Sequence, residues 1–157
     1  MKIKFTLDDG ATAPTRAHST DAGLDLYSLQ SATIPPGGRK LISTGVHVSI
    51  PPGYVGMICP RSGLAHKAGL TVLNAPGIID AGYTGEIKVN LHNTGDEVYW
   101  AETGTRIAQL VITPIPDAHL VQVDTLGATE RGDNGQDRKS TRLNSSHLSQ
   151  SRMPSSA

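Results

Sequence analysis

The stretch Leu73 to His92, LNAPGIIDAGYTGEIKVNLH, constrains the fold more than any other part of the chain. From Glu86 onward it alternates strictly, with Ile87, Val89 and Leu91 on one face and Glu86, Lys88, Asn90 and His92 on the other. A period of two is the mark of a half-buried strand. Upstream, Ala75-Pro76-Gly77 and Ala81-Gly82 are turn sequences, and Ile78-Ile79 delivers Asp80 between them. Tyr83 precedes Gly85. The pattern reads as strands around a tight loop. It presents one carboxylate, one aromatic ring and the amide of Asn74 on short turns over a rigid scaffold, the common construction of a binding site.

The rest of the chain carries the same punctuation. Lys2 to Leu7 alternates, and Asp8 to Ser19 is a loop. Leu24 and Leu26 share a strand face opposite Asp25, and Ala32 to Ile34 precedes Pro35-Pro36-Gly37-Gly38. Arg39 to Ser43 and Val46 to Ile50 read as a hairpin with Val46, Val48 and Ile50 facing inward. Pro51-Pro52-Gly53 turns into Tyr54 to Cys59, and further strands are expected at Glu97 to Trp100, Arg106 to Thr113 and His119 to Val123. One helical turn is expected, Ser62 to Ala68, with Ser62 as its N-cap. Many short strands between Gly/Pro turns imply an all-β sandwich or barrel. With 157 residues, the chain has the length of one domain. Aromatic residues make up only 4 %, so a ring-filled core is not expected.

Other features exclude function classes. Nothing approaches the roughly 18 consecutive apolar residues of a membrane span, and MKIKFTLDDG has no secretory apolar region. A lone cysteine, Cys59, forms no internal disulfide and suits a reducing cytoplasm; its apolar surroundings predict a buried structural thiol. The formal net charge is zero, yet residues 137–157 carry +3, which leaves −3 for residues 1–136. An acidic body argues against nucleic-acid binding.

Several residues could carry chemistry, each with a plainer alternative. Pro60-Arg61-Ser62-Gly63-Leu64-Ala65 places a guanidinium, a hydroxyl and a glycine amide where phosphate could dock, or forms a surface turn. Asp80 and Asn74 could act on a ligand or only shape their turns. Tyr83 could be a core or rim residue. Gln109 is the only polar residue on its face of the Arg106 to Thr113 strand, and a buried amide needs a partner. The histidines show no metal-ligand spacing, and His66 is expected to face solvent.

Taken in order, Ala22-Gly23-Leu24-Asp25-Leu26, Pro60 to Ala65, Asn74 to Val89 and Gly104-Thr105-Arg106-Ile107-Ala108-Gln109-Leu110 resemble the first four motifs of the homotrimeric dUTP pyrophosphatases, the dUTPases. The resemblance spans about residues 2–135. It implies a jelly-roll-like subunit, a homotrimer with three sites at subunit interfaces, and Mg²⁺-dependent hydrolysis of dUTP to dUMP and pyrophosphate. Asp80 would orient and deprotonate the attacking water. Arg61, Ser62, Gly63 and Gln109 would hold the phosphates, and Asn74, with backbone groups around Gly77, Ile78, Ile79 and Lys88, would read uracil. Tyr83 would pack on the sugar and leave no room for a ribose 2′-hydroxyl. Asp25 would bind waters of the magnesium ion or pair with an arginine of the arm, and Arg106 would support subunit packing. Two alternatives stay open: a non-catalytic trimer that senses nucleotide or binds a regulator, and a dCTP deaminase on the same scaffold.

The fifth motif departs from the family. Residues 1–124 are expected as the β domain and 125–136 as a mobile arm, in which Thr129-Glu130-Arg131-Gly132-Asp133-Asn134-Gly135 begins the Gly-rich motif and retains Arg131. The family continues with a Phe that stacks on uracil; here Gln136 follows, then DRKSTRLNSSHLSQSRMPSSA. Residues 137–157 lack a hydrophobic period and are expected to be disordered. Asp137 to His147 and Ser151 to Ala157 back-translate to a sequence that resembles a common sequencing-library adapter, with Leu148 to Gln150 where a barcode would sit. This tail therefore reads as an artefact; a genomic read carrying these codons would overturn that. Base stacking is worth roughly 1–3 kcal/mol, so impaired turnover is expected.

Overall fold

A computed structural model describes residues 1–134. Residues 135–157, on which the adapter reading and Gln136 fall, lie outside the described residues. Two units are distinguished, Met1–Ala118 and the segment from His119.

In the first unit the expected alternation becomes strands β1 (Lys4–Leu7), β2 (Gly23–Tyr27), β3 (Ala32–Ile34), β4 (Arg39–Ser49) and β5 (Tyr54–Cys59). Helix α1 (Ser62–Ala68) follows, then β6 (Leu70–Val72), β7 (Gly77–Ile79), β8 (Ile87–Asn93), β9 (Tyr99–Ala101) and β10 (Arg106–Pro114). One antiparallel sheet runs β1-β4-β8-β6, a second runs β2-β10-β5-β7, and β3 pairs with β9. Spatial neighbours are distant in sequence, as the jelly-roll-like expectation requires. Both large sheets feed one aliphatic core, with Leu26, Ile34, Val46, Leu70, Val89, Leu91 and Ile107 almost wholly enclosed. No ring is fully buried among the described residues; Tyr54 and Tyr99 pack only against its margin.

Four local expectations are corrected. Arg39 to Ser43 and Val46 to Ile50 are not arms of a hairpin: β4 runs through, and its register against β8 shifts between Ser43 and Val46. The Thr44-Gly45 step is a bulge held from inside. Thr44 is fully buried, and its hydroxyl donates to the Ile87 carbonyl at 2.6 Å. The Gly45 N–H donates to a Glu86 carboxylate oxygen at 2.9 Å. Polar groups that a turn would give to water are thus satisfied within the sheet. Val46, Val48 and Ile50 do face the core, as expected.

The second correction is at α1, whose N-cap is Arg61, in extended conformation and with no side-chain cap bond, rather than Ser62. The third concerns His119 to Val123, where no strand forms. Leu120, Val121 and Val123 are exposed, and a strand needs a hydrogen-bonded neighbour as well as β-branched residues. In this second unit the local bonds are turn bonds, such as Gly132 N–H to Thr129 Oγ1 at 3.0 Å and Asn134 N–H to the Arg131 carbonyl at 3.2 Å. Cys59, expected to be buried, is only half-buried.

Candidate functional site

The predicted residues of the first unit gather in two separate clefts, and Asp80 stands outside both. Asn74, Gly77, Ile78, Ile79, Tyr83 and Lys88 line a cleft of about 290 Å³. It lies where β7 pairs with β5 (Met57↔Ile78) and the loop to β8 folds back. The turn into β7 contains a cis Ala75–Pro76 peptide. A β-carbon on Gly77 would meet Ile58 Cβ at 3.3 Å and Asn74 Nδ2 at 3.4 Å, so β7 lies close on β5 here. Tyr83 is half exposed; its hydroxyl donates to the Glu86 carbonyl at 3.0 Å. The ring lies directly over Gly85, where a β-carbon would be 2.5 Å from the Tyr83 hydroxyl.

Leu41 and Glu86 line the same cleft and were missed by the sequence reading. Leu41 carried a weak signal, an apolar residue on the face of β4 opposite buried Ile42; in the structure it is 58 % exposed. Glu86 carried none. Its carboxylate takes the Gly45 N–H, the Ser43 hydroxyl at 3.3 Å and Lys88 Nζ at 3.9 Å, ties that depend on the unforeseen bulge.

Arg61, Ser62, Gly63, Gln109 and Asp25 line the second cleft, about 320 Å³, together with Asp21, Gly23 and Arg106. β10 pairs with both β2 (Gln109↔Asp25) and β5 (Gln109↔Cys59), which brings the end of β5 and the start of α1 beside Gln109. The Gln109 amide donates to the Pro60 carbonyl at 2.8 Å, the partner its position demanded. Gly23 makes that rotamer possible, because a β-carbon there would fall 2.0 Å from Gln109 Oε1.

Asp25 is the electrostatic centre of this cleft. It accepts from Arg61 Nε at 3.1 Å and meets Arg106 Nη1 at 3.6 Å. Two arginines of the first unit, Arg61 and Arg106, therefore share this carboxylate. The pairing fixes Arg61 at the cleft wall while leaving Ser62 and Gly63 exposed. No group of three His, Cys, Asp or Glu residues able to hold a metal occurs among the described residues. Asp21 and Asp25 are hard oxygen donors in one cleft, but Asp25 is already shared by two guanidinium groups. This donor set fits a hydrated magnesium ion carried on phosphate oxygens and does not fit a closed protein cage.

Asp80 is exposed, one residue beyond the Ile79 wall of the first cleft. Its carbonyl accepts the Tyr83 N–H at 3.1 Å, so backbone closes the turn. Its carboxylate makes no hydrogen bond or ion pair among the described residues. His47 of β4 braces the same loop, with Nδ1 2.8 Å from the Thr84 carbonyl and Nε2 3.0 Å from Asp8 Oδ1. The Thr84 carbonyl and the Asp8 carboxylate hold its pKa above the ordinary histidine value. His66 is exposed, as expected. Arg131 lies in the second unit, in the turn closed by Asn134.

A dUTPase family model matches residues 9–140. The chain belongs to the dUTPase family. It is 49% identical over 135 residues to a deoxyuridine 5'-triphosphate nucleotidohydrolase of Mycobacterium marinum, covering 82% of this chain and 88% of that protein. A Clostridioides difficile protein of the same name is 45% identical over 135 residues, covering 86% and 94%. Among solved dUTPases, that of Staphylococcus bacteriophage 80alpha with dUPNHPP superposes with a TM-score of 0.81 at 34% identity, covering 87% of this chain and 96% of that one. A mutant dUTPase of phage phi11 of S. aureus, described for its coordination of a structural Mg(II) ion, gives 0.76 at 32% identity, covering 82% and 100%. The match over residues 9–140 takes in strands β2 to β10 and all four motifs that line or flank the two clefts.

Proposed function

We propose that this chain hydrolyses dUTP to dUMP and pyrophosphate with Mg²⁺, as a homotrimer whose sites each combine clefts of neighbouring subunits. The observation that carries the reading is the partition just described. Groups suited to a base and sugar occupy one cleft, groups suited to phosphate occupy another, and an unspent carboxylate projects beside the first. A composite site gives each half the partner it lacks within the chain.

In this site the Asn74 amide, able to donate and to accept, pairs with uracil together with main-chain groups around Gly77 to Ile79 and Lys88. Tyr83 covers the sugar and rejects a 2′-hydroxyl by contact. Arg61, oriented by Asp25, forks onto phosphate oxygens, and Ser62, Gly63 and Gln109 add donors. Asp25 would hold the ion through water, and bound Mg²⁺ would offset phosphate charge. Asp80 aims a water at the α-phosphorus in line with the departing pyrophosphate and accepts its proton. Positioning supplies much of the effect, since phosphoryl transfer asks for alignment and charge stabilisation. Arg131 of the arm would add a further phosphate contact. The lone cysteine fits a cytoplasmic setting, and no helix among the described residues is long and apolar enough to cross a membrane.

The test is pyrophosphate release from dUTP, dTTP, dCTP and UTP by the given chain and by Asp80→Asn. Release from dUTP alone, lost in Asp80→Asn, is expected; ammonia from dCTP would instead establish a deaminase. The second reading, a nucleotide-sensing trimer, draws on Gln136 standing where the family has Phe. Tight binding of a non-hydrolysable dUTP analogue without pyrophosphate release from dUTP would establish it.

A further inference from the structure

We infer that His47 is a positioning residue for the loop that carries Asp80 and Tyr83, and that only as the imidazolium cation does it tie this loop to Asp8. The inference rests on the proposed role of that loop, but its geometry is independent of it. The two ring nitrogens each face an acceptor: the Thr84 carbonyl at 2.8 Å and the Asp8 carboxylate at 3.0 Å. Neither partner can donate. A neutral imidazole has one N–H and can satisfy only one of them, whereas the cation satisfies both. The protonated ring is thus a strap from the loop after β1 to the loop before β8, anchored on β4, where His47 stands opposite Thr6.

Thr84 is the residue after Tyr83, and its loop is otherwise closed by the Asp80–Tyr83 backbone bond and the Tyr83–Glu86 bond. All three ties fall on residues 80–86, a segment that includes the proposed base and the sugar-covering ring. The charged groups around the strap are Asp8 and Glu86, both of which favour the cation, and Lys4 of β1, which lines the same shallow cleft. Lys88, the nearest cation on β8, is engaged by Glu86. The raised pKa of His47 agrees with this arrangement. A raised value means that the strap is fully present below the ordinary value near 6.5 and is lost as pH climbs through the higher folded value.

Two measurements test this on the full chain. The first is the ring-nitrogen NMR titration of His47 together with the amide signals of Thr84 and Gly85. Both ring nitrogens should be protonated below the transition, and the two amides should shift with the same midpoint. Asp8→Asn should lower that midpoint. The second is the pH profile of kcat/KM for dUTP. As the cation is lost, kcat/KM should fall about two- to five-fold, the range of an exposed charged pair, mainly through KM. His47→Ala should show the low plateau at all pH values, and His47→Arg, a permanent cation with several donors, the high one.

A neutral His47 at pH 5.5, or Thr84 and Gly85 amides that ignore its titration, would overturn the inference. So would an unchanged pH profile in an active His47→Ala. Should the chain release no pyrophosphate at any pH, the proposed activity fails, while the NMR titration still decides the strap.

Discussion

At the scale of single residues, two glycines set the form of the clefts by what they lack. Gly85 lets the Tyr83 ring lie flat across the loop, and Gly23 lets Gln109 reach Pro60. A methyl group at residue 85 would overlap the ring within 2.6 Å of its Cζ, so Gly85→Ala must move Tyr83. The expected result is a loss of about ten-fold or more in kcat/KM for dUTP, weaker discrimination against UTP, and an unchanged far-UV circular dichroism spectrum. Asn93 works in the opposite sense, through its own fully buried amide. It donates to the Ile34 and Glu97 carbonyls at 2.9 and 2.7 Å and accepts the Gly95 N–H at 2.9 Å. Asn93→Leu keeps the volume but strands three polar partners, which should cost about 3 kcal/mol in chemical denaturation.

Among the elements, legibility followed the range of the interaction. Period-two alternation is local, so β2 and β8 could be read directly, with Leu24 and Leu26 on one face of β2 and Ile87, Val89 and Leu91 on the inward face of β8. Thr44-Gly45 looked like a turn because its buried partners, Ile87 and Glu86, lie more than forty residues away. A separation of 36 residues likewise hid the Arg61–Asp25 pair, which joins β2 to the cap of α1. The family resemblance supplied the candidate site residues, but nothing local divides them between two clefts. The arm carries its own prediction. Extending the chain after Gly135 with Phe-Gly-Ser-Thr-Gly in place of the present residues should raise kcat/KM by about ten-fold, as one stacked base would. Steady-state kinetics of the two chains side by side give the answer, and no gain would remove the arm from the mechanism.

For the whole molecule the decisive question is whether the two clefts are completed by neighbours. If they are, Arg61→Ala and Asp80→Asn should each be inactive alone. Mixed trimers, refolded together from equal amounts, should recover roughly a quarter of full activity, because one site in four pairs an intact Arg61 with an intact Asp80 from the next subunit. No recovery would place both residues of a working site on one chain. The placement of the only tryptophan bears on how such assemblies are followed. Trp100 sits on β9 with 65 % of its surface open to solvent, away from the aliphatic core. Its indole emission should already be red-shifted in the native protein and should barely respond when the sheets melt. A blue shift on raising the protein concentration would therefore signal a surface arriving over β9, and loss of structure is better followed by far-UV ellipticity.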